Sequence, residues 1–272
     1  VPGLIKERIM KILWIDPVGT DGFDAVIGNI LKDSAQPGTE VDVISFPRGA
    51  PLHLEYHAYE GLVTADIVKL VYHVSSDYDG IVIGCFYDVG LREAREVSHR
   101  AVVTAPCQSS LVFASHLGNT FSILVGRKKW IPRMEENVRA YGQHHRLASM
   151  RPLELGVYDF QADVKRTAEI MLEQGRKAVE EDNAEVLILG CTIEFGFHET
   201  MQQELGVPVI DAVAAPFKLA EMLVHSAQLF HWYPSRAWGS EEPPENEIKD
   251  WGLFQDGPPI GNLLKHGDIE KS

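Results

Sequence analysis

The chain has 272 residues, of which 45% are hydrophobic and 24% charged, enough for one or two domains with a sizeable core. A formal net charge of −14 with no basic stripe argues against a nucleic-acid surface and an anionic membrane, and no apolar run approaches the ~20 residues of a membrane span. Val1–Arg8 lack the shape of a signal peptide, and three cysteines, with no CxxC spacing, form neither a disulfide framework nor a zinc site. Free thiols in a reducing cytoplasm are the expectation.

In chain order, a strand at 12–15 leads through a loop to a helix beginning near Asp21, then a strand at 41–46 and a helix over about 56–75. The apolar run Ile81-Val82-Ile83 predicts the next strand. It ends in Gly84-Cys85-Phe86-Tyr87-Asp88-Val89-Gly90, with a helix through 91–97 after it. A short strand at 101–103 and a helix at 109–116 complete a first half.

The second half repeats the order. A strand at 121–125 precedes a helix at 132–141 and a longer helix at 164–182, whose Ala168, Met171, Leu172, Gly175 and Val179 fall at helical spacing. The run at 186–189 is the next strand, and it ends in Gly190-Cys191-Thr192-Ile193-Glu194-Phe195-Gly196. A helix at 198–205, a strand at 207–210 and a last helix from about 214 to 229 follow. Residues 230–272, with five prolines and Trp232, Trp238 and Trp251, read as an extended tail with aromatic anchors.

Strands alternating with helices define an α/β fold of parallel sheets flanked by helices. Open parallel sheets bind ligands at the carboxyl ends of their strands. Both copies of G-C-x-x-[DE]-x-G stand at such ends. A thiol at the start of a helix has a lowered pKa. Two such thiols suit a carbon acid next to a carbonyl: one thiolate removes the proton on one face, and the opposite thiol supplies a proton on the other. The amides of Phe86, Tyr87, Thr192 and Ile193, with the Thr192 hydroxyl, are candidate donors to the enolate oxygen. Asp88 and Glu194, at matched positions, read as caps of the helices that follow them, and Asp211 reads as a helix cap. Cys107 has no partner motif and reads as structural.

Asp16, at the carboxyl end of the first strand, is placed to accept substrate N–H groups, and Thr20 to cap the first helix or contact substrate. Arg127, in the turn after the strand at 121–125, is placed to pair with a carboxylate. His144-His145 has no carboxylate or cysteine at ligand spacing, so no metal is expected. No phosphate loop, dinucleotide fingerprint or serine elbow is present, and catalysis without a cofactor is expected.

These residues resemble the aspartate/glutamate racemase superfamily, and within it the hydantoin and allantoin racemases. The resemblance covers roughly residues 10–225. It rests on 84–90, on Leu189-Gly190-Cys191, on 138–142 with 146–149, and on Gly206-Val207-Pro208-Val209-Ile210-Asp211 with 214–215 and 218–221. It implies two pseudo-symmetric lobes, 1–117 with 214–229 and 118–213, followed by the extension 230–272. It also implies a cleft between the lobes holding the active site, and cofactor-independent racemisation of a small hydantoin-like or ureide substrate by Cys85 and Cys191. The substrate-binding set becomes Asp16, Thr20, Phe86, Tyr87, Gly126, Arg127, Thr192 and Ile193. Three of these places depart from the family: Ile15-Asp16-Pro17-Val18 replaces an asparagine-containing opening motif, Gly126-Arg127 replaces paired threonines, and Tyr87 and Val89 replace small residues. A maleate-isomerase-like or related lyase activity, and a non-catalytic ureide-binding role, are the alternatives. The tail and the acidic surface suggest a homo-oligomer.

Overall fold

The computed structural model describes residues 9–270, so the reading of Val1–Arg8 lies outside the described residues. In chain order the elements are β1 (Met10–Asp16), α1 (Asp24–Ser34), β2 (Thr39–Ser45), α2 (His57–Val74), β3 (Gly80–Ile83), α3 (Leu91–Val97) and β4 (Val102–Thr104). They continue with α4 (Pro106–Leu117), β5 (Phe121–Val125), α5 (Ile131–Ala140), β6 (Leu147–Pro152), α6 (Asp159–Ala162), α7 (Val164–Glu180), β7 (Val186–Leu189), α8 (His198–Leu205) and β8 (Val209–Ile210). The last three are α9 (Ala214–Phe230), α10 (Glu245–Asp250) and β9 (Asn262–Leu264).

The chain divides into two compact units. The first takes the described chain up to Ile83, then Val89–Thr104 and the chain from Phe217; the second takes Gly84–Asp88 and Ala105–Pro216. Thus the first cysteine segment and the helix at 106–117 group with the second unit, and the C-terminal extension groups with the first.

Each unit is built on its own sheet. The first has the order β4-β3-β1-β2-β9 and the second β6-β5-β7-β8. Counted within each unit, the first four strands lie in the same spatial order, second-first-third-fourth, and all pair in parallel. The sequence repeat is therefore a repeat of topology, and each cysteine follows the third strand of its sheet.

The central strands are buried on both faces. Ile12, Leu13, Trp14 and Ile15 of β1 are fully buried, as are Val186 to Leu189 of β7. Helices cover both faces of a parallel sheet, which is why these strands are continuous apolar runs rather than alternating ones. Asp163 caps the start of α7, its side chain accepting from the Arg166 amide. Its Thr167, Met171, Gly175 and Ala178 form the buried seam. Gly175 lets α8 approach: a Cβ there would lie 2.8 Å from Leu205 Cδ1.

Strand β6 was not legible in the sequence. Leu-Ala-Ser-Met-Arg-Pro is half-buried at every position, lies at the edge of its sheet and ends in proline. An edge strand with no buried face carries no alternation to read.

The extension wraps the first unit. β9 pairs antiparallel with β2, with Ser45 opposite Asn262 and Val43 opposite Leu264. Gly261 runs so close to the Phe46 carbonyl that any Cβ would collide. Ile269 is buried against Gly28, Lys32 Nζ donates to the Ile269 carbonyl at 2.5 Å, and the His266 amide donates to Asp42 Oδ1 at 2.8 Å. The expected tryptophan anchors are not anchors: Trp232, Trp238 and Trp251 are 69%, 93% and 68% exposed. Aliphatic Ile248 and Ile269 and the paired strand hold the segment, with Phe254 against Tyr72 at 4.7 Å between ring centroids as an aromatic contact. Among the described residues no helix is long and apolar enough to cross a membrane.

Candidate active site

Cys85 and Cys191 each stand two residues beyond a strand, β3 and β7, and both belong to the second unit. Each opens a turn. The Asp88 amide donates to the Cys85 carbonyl at 2.9 Å, and the Glu194 amide to the Cys191 carbonyl at 3.1 Å. The helices begin only at Leu91 and His198, which corrects the expectation that the thiols sit at helix starts. Left-handed residues intervene: Asp88 at φ 52° and Gly90 at φ 67° in the first motif, Gly196 at φ 86° in the second. They turn the chain before helical geometry can start. The donors beside each cysteine are therefore turn amides. Those of Phe86, Thr192 and Ile193 donate to no protein acceptor among the described residues.

The two turns meet. Thr192 Oγ1, one residue after Cys191, donates to the carbonyl of Gly84, one residue before Cys85, at 3.4 Å. Cys85 and Cys191 are half-buried, Cys107 is fully buried, and none is in a disulfide. Phe86, Tyr87 and Ile193 are buried walls at 3%, 6% and 5% exposure. Side chains from distant helices hold both turns. The Tyr87 carbonyl accepts from Asn137 Nδ2 at 2.7 Å and Arg133 Nη2 at 3.0 Å, and the Arg133 guanidinium lies 5.7 Å from the centre of the Tyr87 ring. The Ile193 carbonyl accepts from Gln161 Nε2 at 2.8 Å. Arg133, Asn137 and Gln161 were missed in the sequence, because a side chain bonding a backbone carbonyl far along the chain leaves no local pattern.

Asp88 and Glu194 do different work from that expected. Asp88 caps a helix, but a distant one: Oδ1 accepts from the Cys107 amide at 2.8 Å, and Oδ2 from the Gln108 amide at 2.9 Å and the Tyr141 hydroxyl at 2.8 Å. Those amides are the second and third of α4, whose first residue is Pro106. Burial, and then the Asp88 charge, push the Cys107 thiol well up, so it stays protonated and inert. Glu194 caps nothing. It is fully buried, and among the described residues neither carboxyl oxygen has a hydrogen-bond partner. The nearby Gly190 amide is already given to the Leu124 carbonyl at 2.8 Å. Burial raises the Glu194 acid well above the ordinary glutamate range; the Gly190 and Cys191 amides oppose this and the Asp211 carboxylate adds to it. Burial thus favours the neutral form of Glu194 beneath the second cysteine turn. Asp211 caps α9 through the Val213 and Ala214 amides, at 2.8 and 2.9 Å.

Gly126 is closed off: Trp130 and the Leu155 carbonyl occupy the space a Cβ would take, and its own carbonyl accepts from the Leu155 amide at 2.9 Å. Arg127 is half-buried where β5 ends, and β5 neighbours β7 in the sheet, so Arg127 and Cys191 follow adjacent parallel strands at their carboxyl ends. Such ends are where open α/β sheets take ligands. Asp16 and Thr20 belong to the first unit. Asp16 ends β1 opposite Ser45 and is 6% exposed, with Oδ2 unpartnered among the described residues. Burial, and then Asp24, raise its acid well above the ordinary range. Thr20 Oγ1 accepts from the Gly22 amide at 3.2 Å, and α1 starts only at Asp24, so Thr20 shapes a turn rather than capping a helix. His144 pairs with Glu135 at 2.9 Å.

Two sheets of one strand topology, each with a cysteine in the segment that follows its third strand, define a class of α/β proteins built by duplication. The Asp/Glu/Hydantoin racemase family model matches residues 12–220. The chain is 35% identical over 216 residues to a hydantoin racemase of Pseudomonas sp. (strain NS671), covering 79% of this chain and 86% of that one. It is 32% identical over 240 residues to a hydantoin racemase of Paenarthrobacter aurescens, covering 88% and 99%. Among solved structures it resembles the allantoin racemase from Klebsiella pneumoniae at 26% identity and a TM-score of 0.80, covering 87% of this chain and 94% of that one. The chain belongs to the Asp/Glu/hydantoin racemase family and is an enzyme of the racemase class.

Proposed function

We propose that the protein racemises a hydantoin-like ring or related ureide at the carbon next to a carbonyl, with Cys85 and Cys191 as the acid–base pair. One sulfur, as thiolate, takes the proton from that carbon. The electron pair moves into the carbonyl to give an enolate, and the other thiol returns a proton to the opposite face. The roles reverse for the other enantiomer. The turn amides of Phe86, Thr192 and Ile193 act as donors to the enolate oxygen, and Arg127 as a contact for an electron-rich edge of the ligand. No electron sink beyond the carbonyl is needed, so the reaction proceeds without a cofactor.

The observation that carries this reading is the Thr192–Gly84 hydrogen bond, which ties the two cysteine turns to each other within one unit. The names of the relatives supply the ligand class. The thiols outside disulfides support a reducing, cytoplasmic setting. Exposed Met222, Phe230 and Trp232, at 50%, 58% and 69%, support assembly into a homo-oligomer.

The test is racemisation of single-enantiomer 5-substituted hydantoins in D2O, following optical rotation and deuterium at the ring carbon. Cys85→Ser and Cys191→Ser each lose roughly 10²–10⁴ in rate, the range of one general acid–base group. Full racemisation by either variant overturns the two-thiol assignment; absence of exchange on any ureide overturns the substrate class.

A further inference from the structure

We infer that residues 262–269 form an acid-released strap on the first unit, latched by the His266 imidazole on the Val41 amide. The segment lies beyond the 12–220 match to the family and covers the edge of β2.

The antiparallel ladder ends at the Val43–Leu264 pair, and a side chain takes over from the backbone. The Val41 amide donates to His266 Nδ1 at 3.2 Å, and Val41 is fully buried. A ring nitrogen accepts only while its lone pair is free, so this contact requires neutral imidazole with its proton on Nε2. Protonation puts an N–H on Nδ1, facing the Val41 N–H. Two donors then oppose each other, and a buried amide loses its acceptor. Imidazole is the side chain that changes charge within about pH 5–8.

The surrounding charges do not rescue the protonated ring. On β2, Asp42 Oδ1 accepts from the His266 amide at 2.8 Å, and Oδ2 accepts from the Tyr78 hydroxyl at 2.8 Å and Lys265 Nζ at 2.9 Å. That carboxylate is committed to other donors, and Lys265 offsets its charge. Glu40 from β2 and Lys11 from β1, of opposite charge, line the same cavity of about 260 Å³. From α1, the Lys32 ammonium donates to the His266 carbonyl at 3.3 Å, and Asp268 of the strap is exposed.

The nearby acids do not supply an acid release of their own. Burial pushes the Asp42 acid up, but the Lys265, His266 amide and Tyr78 bonds outweigh it and hold it below the ordinary range. Its contribution is lost only as pH falls through that lowered value, under the imidazole range. Asp24, which accepts from Asn262 Nδ2 at 2.8 Å, is raised, by burial first. A raised acid favours the folded state as pH falls, so Asp24 works against release. Tyr78 is raised by burial and by Asp42 and stays neutral. Release uncovers the edge of β2 and removes Asn262 from Asp24.

The experiment is hydrogen exchange of the full-length protein followed by NMR at pH 8 and pH 5.5, expressed as protection relative to the intrinsic rate at each pH. Protection at Val41 and across β9 is expected to fall roughly tenfold at the lower pH, the worth of one unmet buried donor. Ile123 and Ile188, in the second sheet, keep theirs. The loss follows the His266 ring titration, read at its Cε1 proton. His266→Asn supplies a side-chain oxygen that accepts and does not protonate in this range, and its protection is the same at both pH values. Asp42→Asn lowers protection at both and keeps the step. Equal protection in the parent at the two pH values, the same step in His266→Asn, its disappearance in Asp42→Asn, a midpoint apart from the ring titration, or an equal loss at Ile123 and Ile188 each overturn the proposal.

Discussion

Asp88 and Glu194 occupy the same position in two copies of one motif, three residues after a cysteine, and have opposite electrostatic fates. The Asp88 carboxylate accepts from the Cys107 and Gln108 amides and the Tyr141 hydroxyl, whereas among the described residues neither oxygen of the fully buried Glu194 carboxyl has a hydrogen-bond partner. One methylene of side-chain length and the presence of a helix start in front of Asp88 separate a hydrogen-bonded anchor from a buried acid whose neutral form is favoured.

That difference sets a pH dependence. The folded-state pKa of Glu194 is raised, so the native protein holds this proton more tightly than the unfolded chain. The stability this provides is complete below the unfolded value of ~4.3 and falls as pH rises from there toward the folded pKa. Glu194→Gln cannot ionise. Its urea midpoint is expected to exceed the parent's at pH 8 and to converge with it near pH 4. A gap that is constant across this range contradicts the neutral-acid reading.

Asp88→Ala removes a cap from α4 and is expected to cost ~0.5–2 kcal/mol in urea unfolding. The Cys107 amide is one of the capped groups, and its thiol is wholly buried. Alkylation of Cys107 by iodoacetamide, negligible in the parent, should become measurable as the first turn of α4 frays. Unchanged protection would mean that packing alone holds the turn.

Thr192→Val keeps shape and deletes the hydroxyl that reaches Gly84. A stability loss of ~0.5–1.5 kcal/mol is expected. If that bond sets the relation of the two cysteine turns, kcat falls more than KM rises, and Thr192→Ser restores both. Equal kcat in Thr192→Val and the parent would remove the bond from the catalytic account.

Ile269→Ala empties the anchor of the extension on Gly28 and is expected to cost ~2–5 kcal/mol of local stability. Release of β9 leaves the edge of β2 open, and open edges template association. Hydrogen exchange at Val43 and Ser45 should accelerate, with concentration-dependent aggregation. Unaltered exchange at these amides would show that the strand pairing does not depend on Ile269.

The strands and most helices were legible because each is encoded locally. Val186-Leu187-Ile188-Leu189 is apolar at every position, and the strand spans those four residues. The helix at 198–205 likewise has the expected bounds, ending at Gly206 with φ 68°, a left-handed stop that glycine adopts at little cost. β6 was illegible because its six residues are half-buried and carry no period. The extension was misread at its tryptophans, because aromatic content signals burial only on average, and here Ile248 and Ile269 do the anchoring.

What the amino-acid order determined by itself is the repeat: two apolar runs, each ending in Gly-Cys, within alternating strands and helices, because backbone propensity and hydrophobic period act over a few residues. What the tertiary structure decided is which groups complete each turn and in what charge state. Asn137 and Arg133 on the Tyr87 carbonyl, Gln161 on the Ile193 carbonyl and the α4 amides on Asp88 are contacts between segments far apart in the chain. Desolvation and hydrogen bonding depend on what surrounds a group in space, and only folding brings those surroundings together.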